Sequence, residues 1–408
     1  WTLEAAEAVL DPTGELQVFD ALDRLVAASL VRVVHQADGG ERFAMLEVLR
    51  EFAAEALAAG GEADMLRGRH AAWYADLAQS FEQDVYWHGN EALWMLRMRA
   101  EDDNLRAAVE RSLATPALHR TAVTLAARLP RYAQFFRGEY TESTQWLEHA
   151  SALAGEAPGT DDALVRYWLA AAYARIGRSA DAESRLLEAQ QVFAGVGDIL
   201  HLAWVHNDLG LIAGYAGRHA DAAEHFQRSL ALKRRAGTTT DQATALSNLA
   251  ETRFLQGENA QAAALLNEAL VMLSERSFQR TDTLRILAMV DLKRGRLEEA
   301  RAALQSSFDS FPATMTGFEL ARSCCVALCI SAAVEDHRQV ALFTGAVARL
   351  NDESATMIDP IYRVPMADAI ASARDGLSAE AWEVAQEAGR QMDRERLIGL
   401  ARGEVLHA

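Results

Sequence analysis

Histidine and cysteine are the side chains of this sequence that could bind a metal or perform redox chemistry. The eleven histidines are scattered, and none stands in an HExxH or CxxC-type ligand pattern. His219 and His225 are six positions apart, which puts them on different faces of a helix. No Ser, His and Asp set and no carboxylate pair can be singled out as catalytic. We therefore predict no metal site and no enzymatic activity.

The three cysteines lie close together, at Cys324, Cys325 and Cys329. Their spacing is not that of a disulfide or zinc framework and fits a reducing compartment. Cys325 and Cys329 would share one helical face, so a redox sensor is one interpretation. The other, which the small and apolar nature of cysteine favours, is that all three are buried core residues.

Composition narrows the class of protein. The net charge of −18 disfavours direct binding of nucleic acid, because neutralising phosphates requires clustered Lys and Arg.

No apolar run approaches the roughly 18 residues that span a bilayer, and no signal peptide precedes the first helix. We expect a soluble, cytoplasmic segment without membrane contact. The chain begins at Trp1 directly in helical sequence, which suggests a piece of a longer protein.

A repeat of 40 residues runs through the middle of the chain. Its pattern is Leu, then Gly eight residues later, Ala five further and a large apolar residue four after that. Three units carry it, as Leu169, Gly177, Ala182 and Leu186, then Leu209, Gly217, Ala222 and Phe226, then Leu249, Gly257, Ala262 and Leu266. Weaker copies place Gly138, Ser143 and Leu147 upstream, and Gly295, Ala300 and Leu304 followed by Asp336 and Ala341 downstream. The sequence thus predicts about six units.

The spacing predicts a helical hairpin in each unit. The glycine can end a first helix, called helix A, in the left-handed conformation, and helix B begins within about three residues. The small Ala of helix B lets the two helices approach closely, and the Leu and Phe residues fill the seam. Each hairpin leaves one apolar face that stacking against the next hairpin buries.

The pattern resembles the tetratricopeptide repeat, which Leu209, Gly210, Gly217, Ala222 and Phe226 match position by position. This resemblance implies an all-α, right-handed superhelical solenoid of helical hairpins over residues 116–350. Residues 1–57 have the order helix, helix, strand, HQADGG turn, strand, helix, which indicates a small winged-helix domain. Residues 58–115 are expected to link the two, and residues 351–408 to cap the array.

A broader resemblance rests on the order of several segments. FDALDRLVAASLV, RFAMLEVLREFAAEAL, RHAAWYADLA, EDDNLRAAV and the C-terminal LSAEAWEVAQEAGRQMDRERLIGLARGE are similar to the sensor arms of bacterial signalling ATPases with numerous domains, many of which are LuxR-type regulators. The resemblance implies an upstream nucleotide-binding module as a partner in the same parent chain. ATP or ADP would bind only there, since this chain has no GxxxxGK[ST] loop and needs no cofactor of its own.

One position departs from that family. Members often carry Met-His-Asp before the last helix of the winged helix, where the His touches bound ADP. The matching residues here are Met45, Leu46 and Glu47. Leucine cannot hydrogen-bond a phosphate, which puts nucleotide sensing at this position in doubt. The resemblance also implies that the winged helix packs on the nucleotide-binding module and does not contact DNA.

Polar and aromatic residues of helix A carry the binding prediction. In tetratricopeptide superhelices helix A lines the concave surface, so residues ahead of the Leu-Gly position would meet a ligand. The predicted groove residues are Arg166, Tyr167, Trp204, Asn207, Asp208, Ser247, Asn248 and Arg285. Their amide, guanidinium and indole groups suit a peptide or a small polar effector.

Together these features predict a non-catalytic, effector-sensing and protein-interaction arm of a bacterial transcriptional regulator or signalling ATPase. The alternative is a free-standing tetratricopeptide scaffold that binds a partner's peptide without a nucleotide switch.

Overall fold

A computed structural model describes residues 1–15, 17–35, 40–88, 91–136, 140–153, 158–310, 316–354 and 358–404. The chain divides into two compact units, unit 1 at Trp1–Asp198 and unit 2 at Ile199–Ala408. Helices dominate both units, and one two-stranded sheet occurs in the described part of the chain. The predicted all-α fold of stacked helical hairpins is confirmed.

Unit 1 begins with a small mixed element. Its secondary structure comprises α1 Leu3–Leu10, α2 Val18–Ala27, β1 Arg32–His35, β2 Glu41–Ala44 and α3 Glu47–Gly60. The strands are antiparallel, with Val33 opposite Phe43. This is the element order expected for residues 1–57, but most of the predicted HQADGG turn, residues 36–39, lies outside the described residues.

The core of this element is built by α1, α2 and the strands, and α3 has no buried residue. Val48 and Phe52 are exposed on α3. Because large apolar side chains are normally covered, α3 presents an apolar surface that unit 1 itself leaves open.

The remainder of unit 1 is helical. It contains α4 Ala63–His88, α5 Glu91–Ala100, α6 Asp102–Ala114, a 3-10 turn Pro116–Leu118, α7 His119–Arg128, a π-helical segment Arg131–Phe136, α8 Tyr140–Ala152, α9 Thr160–Arg175 and α10 Ser179–Val196. Residues 58–115, expected to be a linking segment, share one core with residues of the first predicted repeat, including Phe81, Leu105 and Leu125.

Unit 2 consists of consecutive hairpins followed by shorter helices. These are α11 Ile199–Tyr215 with α12 His219–Ala236, α13 Thr239–Leu255 with α14 Asn259–Met272, α15 Phe278–Lys293 with α16 Leu297–Asp309, α17 Gly317–Ala333 with α18 His337–Ser354, and then α19 Pro360–Asp375, α20 Ala379–Gln391 and α21 Arg394–Ala401. The described helices are not long and apolar enough to cross a membrane.

The glycine of the repeat pattern forms the turn of each of these hairpins. Positive φ angles occur at Gly177, Gly217, Gly257 and Gly295, and each following helix B begins two residues later. The alanines predicted to allow close approach, Ala182, Ala222, Ala262 and Ala300, have no exposed surface. Gly138, the predicted turn of the upstream unit, lies outside the described residues, whereas Ser143 and Leu147 are buried as expected for that unit.

The last repeat deviates by one residue from the prediction. Glu335, and not Asp336, occupies the turn with a φ of 59°. The spacing from Gly295 is therefore 40 residues, and Val340 takes the position where the other units have Ala. A turn at Asp336 would keep an Ala at position 341, but the chain instead adopts the left-handed conformation at Glu335, which is strained for a residue with a side chain.

Candidate functional site

Unit 2 contains a cavity of about 260 Å³ bounded by helix A of successive hairpins. Its walls come from α11, α13, α15 and α17, with Phe226 of α12 and the residues that begin α19. Its polar lining side chains include Tyr215, Asn248, Glu251, Asp282, Arg322 and Asp359. Leu211, Leu255 and Phe318 add apolar surface. The stacking of hairpins thus brings together residues from four repeats that are distant in sequence.

Arg322 organises one side of the cavity. This guanidinium forms ion pairs with Asp282 of α15 and with Asp359, where Nε lies 2.7 Å from Oδ2. Tyr215 Oη donates to Asp359 Oδ1 at 2.9 Å, which links α11 to the start of α19. Burial favours the neutral form of Arg322, but the surrounding carboxylates outweigh this effect and hold its pKa well above the ordinary value.

Glu251 lines the same cavity from α13 and is half-buried. Its side chain makes no hydrogen bond or ion pair with another residue in the part of the chain that the structure describes. Burial, reinforced by the Asp359 carboxylate and opposed by Arg322, raises the pKa of Glu251 to about 7. This carboxyl group can therefore change its charge near neutral pH.

Three of the predicted groove residues come together beside the cavity. Asn248 lines it and donates through Nδ2 to Asn207 Oδ1 at 3.0 Å. Asn207 in turn donates to Asp208 Oδ1 at 3.1 Å and accepts from Lys233 Nζ at 3.5 Å. The amide oxygen of Asn248 is not used in these contacts, so it is an acceptor at the cavity wall.

Two other predicted residues are engaged inside the protein. Ser247 is buried, and its Oγ lies 2.8 Å from Thr283 Oγ1. Arg285 has 0% exposed surface and pairs with Asp282 and Glu319. Contact between Arg285 and a ligand would require this ion-pair cluster to open, so its role in binding stays a prediction.

The other predicted groove residues are not among those that line the cavity. Trp204 on α11 packs edge-on against His201, with ring centroids 4.7 Å apart. Arg166 and Tyr167 belong to α9 in unit 1. Arg166 donates to the Asp162 carbonyl at 2.9 Å, and Tyr167 is buried against Trp168. Ligand binding by these three residues also stays a prediction.

The degenerate nucleotide-sensor position lies at the start of α3. Met45 is half-buried in the small N-terminal core, Leu46 is 59% exposed and Glu47 pairs with Arg50. A sensor role for these three residues stays a prediction.

Sequence reasoning missed five residues of the site, namely Tyr215, Glu251, Asp282, Arg322 and Asp359. A signal existed for two of them, since Glu251 follows the predicted Asn248 by three residues and Asp282 precedes Arg285 by three, the spacing of side chains on one helical face. No local pattern indicates Asp359, which is 144 residues from its partner Tyr215.

The cysteine cluster lies in the core of α17. Cys324, Cys325 and Cys329 are buried, and burial raises the pKa of Cys329 to about 12. Nucleophilic and redox chemistry requires the thiolate, so this burial supports the interpretation as core residues. Within the described ranges, no group of three or more His, Cys, Asp or Glu side chains is placed to hold a metal ion.

Comparison with known proteins identifies the repeats. The sequence profile of the tetratricopeptide repeat matches residues 161–235 and 201–275. This stretch is an array of tetratricopeptide repeats. The match begins in helix A of the α9–α10 hairpin and ends just after α14, so it includes three of the four helices that hold the predicted groove residues.

The chain is similar to solved structures at low sequence identity. The chain is similar to a signal transduction ATPase with numerous domains (STAND) from Pyrococcus horikoshii that has a tetratricopeptide repeat sensor, with 13% identity and a TM-score of 0.51 over 98% of this chain and 62% of that one. BtubC from P. vanneervenii aligns with 18% identity and a TM-score of 0.44 over 52% of this chain and 89% of that one. At such identities the likeness concerns the fold alone.

Curated relatives align over a shorter stretch. HTH-type transcriptional regulators of Mycobacterium bovis and Mycobacterium tuberculosis are 38% identical over 104 residues, which is 26% of this chain. The matched stretch spans 11% of the length of each of these regulators. The similarity is therefore partial.

Proposed function

We propose that this chain is the non-catalytic sensing and protein-interaction arm of a larger bacterial signalling protein, and that unit 2 binds a peptide or a small polar effector in its cavity. The observation that carries the proposal is the cavity itself. It gathers polar side chains from α11, α13, α15 and α17, and a concave site with a few convergent polar groups is the usual form of a ligand pocket.

The parent protein is proposed to be a signalling ATPase or a transcriptional regulator of LuxR type. The fold of the Pyrococcus sensor protein and the partial similarity to HTH-type regulators support this context. Residues 1–57 would form a winged helix that packs on an upstream nucleotide-binding module, where ATP or ADP binds. The exposed Val48 and Phe52 on α3 support such a neighbour, because it would cover their apolar surface.

Effector binding would act through a conformational equilibrium of the parent protein. An effector that binds one arrangement of the array more tightly than another shifts the population by that difference in affinity and no further. Asp359 would couple ligand binding to the arrangement of the helices. It lines the cavity and contacts both Tyr215 of α11 and Arg322 of α17.

The test is a binding screen on the whole chain with peptides and small polar metabolites, read by thermal shift. Leu211→Trp places a bulky side chain at the cavity wall, whereas Leu187→Trp changes a similarly exposed leucine on α10 that does not line the cavity. We expect stabilising ligands that Leu187→Trp retains and Leu211→Trp loses. If every ligand found still binds to Leu211→Trp, the cavity is not the site.

A free-standing scaffold is the second candidate, favoured by Leu46 at the position where the resembling family has a nucleotide-contacting His. The coding sequence on both sides of the chain separates the two. A phosphate-binding loop upstream supports the signalling arm, and a start codon just before Trp1 supports the scaffold.

A further inference from the structure

We infer that the ligand of this cavity is a small organic cation with a primary amine or guanidinium group, held by Glu251 with help from Asp359 and the Asn248 amide oxygen. This inference rests on the proposed function and names the chemical class of the effector.

The charge balance of the lining supports a cation. Three carboxyl groups, those of Glu251, Asp282 and Asp359, face one guanidinium, that of Arg322. Arg322 is already committed to Asp282 and Asp359. The neighbouring cation Arg285 is likewise committed to Asp282 and Glu319. Three carboxyl groups, those of Asp282, Asp359 and Glu319, therefore share two guanidinium groups. Among the described residues, Glu251 is the carboxyl group of the cavity lining that has no ion-pair partner.

Glu251 and Asn248 contribute hydrogen-bond acceptors to the cavity wall. In the described part of the chain, neither carboxyl oxygen of Glu251 accepts a hydrogen bond. The Asn248 amide donates through Nδ2 to Asn207, and its oxygen accepts no hydrogen bond from a described residue. An ammonium or guanidinium group supplies several donors and no acceptor, which complements this wall. Leu211, Leu255 and Phe318 supply apolar surface for a short hydrocarbon segment.

Binding of a cation would lower the electrostatic cost of ionising Glu251. A partly buried carboxylate without a partner is destabilised, which is why burial and Asp359 raise the pKa of Glu251 to about 7. The groups that face it are Tyr215 of α11, Asp282 of α15, Arg322 of α17 and Asp359 before α19. Arg322 is the one cation among them, and its paired carboxylates offset it.

The pH dependence follows from this titration. The ionised form of Glu251 binds a cation, and the protonated form does not attract it. With a pKa of about 7, the ionised fraction rises about ten-fold between pH 6 and pH 8. We expect the affinity for a cation to increase by about the same factor over this range.

A matched series of four-carbon ligands tests the inference on the whole chain by isothermal titration calorimetry. Butane-1,4-diamine is the cation, butane-1,4-diol the neutral analogue and butanedioate the anion. We expect the diamine to bind at least about ten-fold more tightly than the other two at pH 8. This factor corresponds to the one ion pair with Glu251 that only the diamine can form.

The variants are Glu251→Gln and the control Glu299→Gln, an exposed position on α16. Glutamine keeps the shape and cannot ionise, so Glu251→Gln should lose at least about ten-fold in diamine affinity at pH 8 and all of its pH dependence. Glu299→Gln should leave both unchanged. A melting temperature no lower than that of the parent chain shows that the variant is folded.

Equal diamine affinity in Glu251→Gln and the parent chain would overturn the inference, as would an absence of diamine binding at millimolar concentration. Tighter binding of butanedioate, lost in Leu211→Trp, would also overturn it while leaving the proposed function intact. If Leu211→Trp and Glu251→Gln both retain diamine binding, the diamine is bound elsewhere on the surface, and the inference is wrong.

Discussion

Polar residues of helix A have two different surroundings in unit 2. Asn248 and Glu251 face the cavity, whereas Ser247 and Arg285 are buried against neighbouring helices. Ser247 and Asn248 are adjacent in sequence, so their side chains leave the helix about 100° apart. A guanidinium such as that of Arg285 is tolerated at full burial only because Asp282 and Glu319 balance its charge.

We expect Arg285→Met to destabilise the chain by about 3 kcal/mol, because it leaves the largely buried Glu319 carboxylate without its cation and leaves Asp282 with Arg322 alone. Arg166→Met is the matched control. Arg166 pairs with the more exposed Glu188, so its loss should cost no more than about 1 kcal/mol. Urea denaturation followed by circular dichroism measures both. Equal shifts in the two midpoints would contradict the structural role of Arg285.

At the scale of elements, α18 and α20 approach each other more closely than ordinary side chains permit. A Cβ atom built on Gly345 would lie 1.9 Å from the carbonyl oxygen of Gln386, and one on Gly389 would lie 1.9 Å from that of Leu342. The two glycines thus form reciprocal backbone contacts. This helix pair holds the C-terminal part of unit 2 against the last repeat.

Gly345→Ala should therefore force α18 and α20 apart and destabilise the chain by roughly 3 kcal/mol or more, since a backbone carbonyl cannot move aside as a flexible side chain can. Gly195→Ala on α10 is the control, because nothing lies within 4 Å of its added Cβ. Alanine there should stabilise the helix by about 0.5–1 kcal/mol. The measurement is the melting temperature of each variant and of the parent chain. A melting temperature of Gly345→Ala at or above that of the parent would refute the close contact.

At the scale of the whole molecule, unit 2 departs from a simple repeat array. Repeats normally contact only their neighbours, so stability is close to a sum of local terms. Asp359 instead joins Tyr215 of α11 and Arg322 of α17, and the hydrogen bond to Tyr215 spans 144 residues. Helices that are far apart in sequence are thereby coupled.

Asp359→Ala should increase amide hydrogen exchange in α11 and α17 as well as in α19, because it removes both long-range contacts. Asp359 makes no side-chain hydrogen bond that caps α19, so loss of a cap does not account for such a result. Asp368→Ala, at an exposed position of α19, is the control and should have no effect beyond that helix. Faster exchange confined to α19 in Asp359→Ala would show that the contact does not couple the helices.

The sequence by itself determined the hairpins. Gly217 and Ala222 indicate a turn and a close helix contact through properties of the residues themselves, the low cost of a positive φ and the small side chain. The same information repeated every 40 residues was sufficient to predict the stacked helical hairpins. It failed by one residue at Glu335, which adopts a left-handed backbone conformation that its residue type disfavours and that the sequence pattern therefore does not indicate.

Only the tertiary structure decided which polar residues share a site. Asn248 could be predicted because it occupies a helix A position, but the partners of the cavity come from four hairpins and from the start of α19. The exposure of Glu251 to the cavity, the full burial of Arg285 and the contact of Asp359 with Tyr215 depend on how the helices stack. Local periodicity specifies the face of a helix, whereas the groups opposite that face are set by packing between residues distant in sequence.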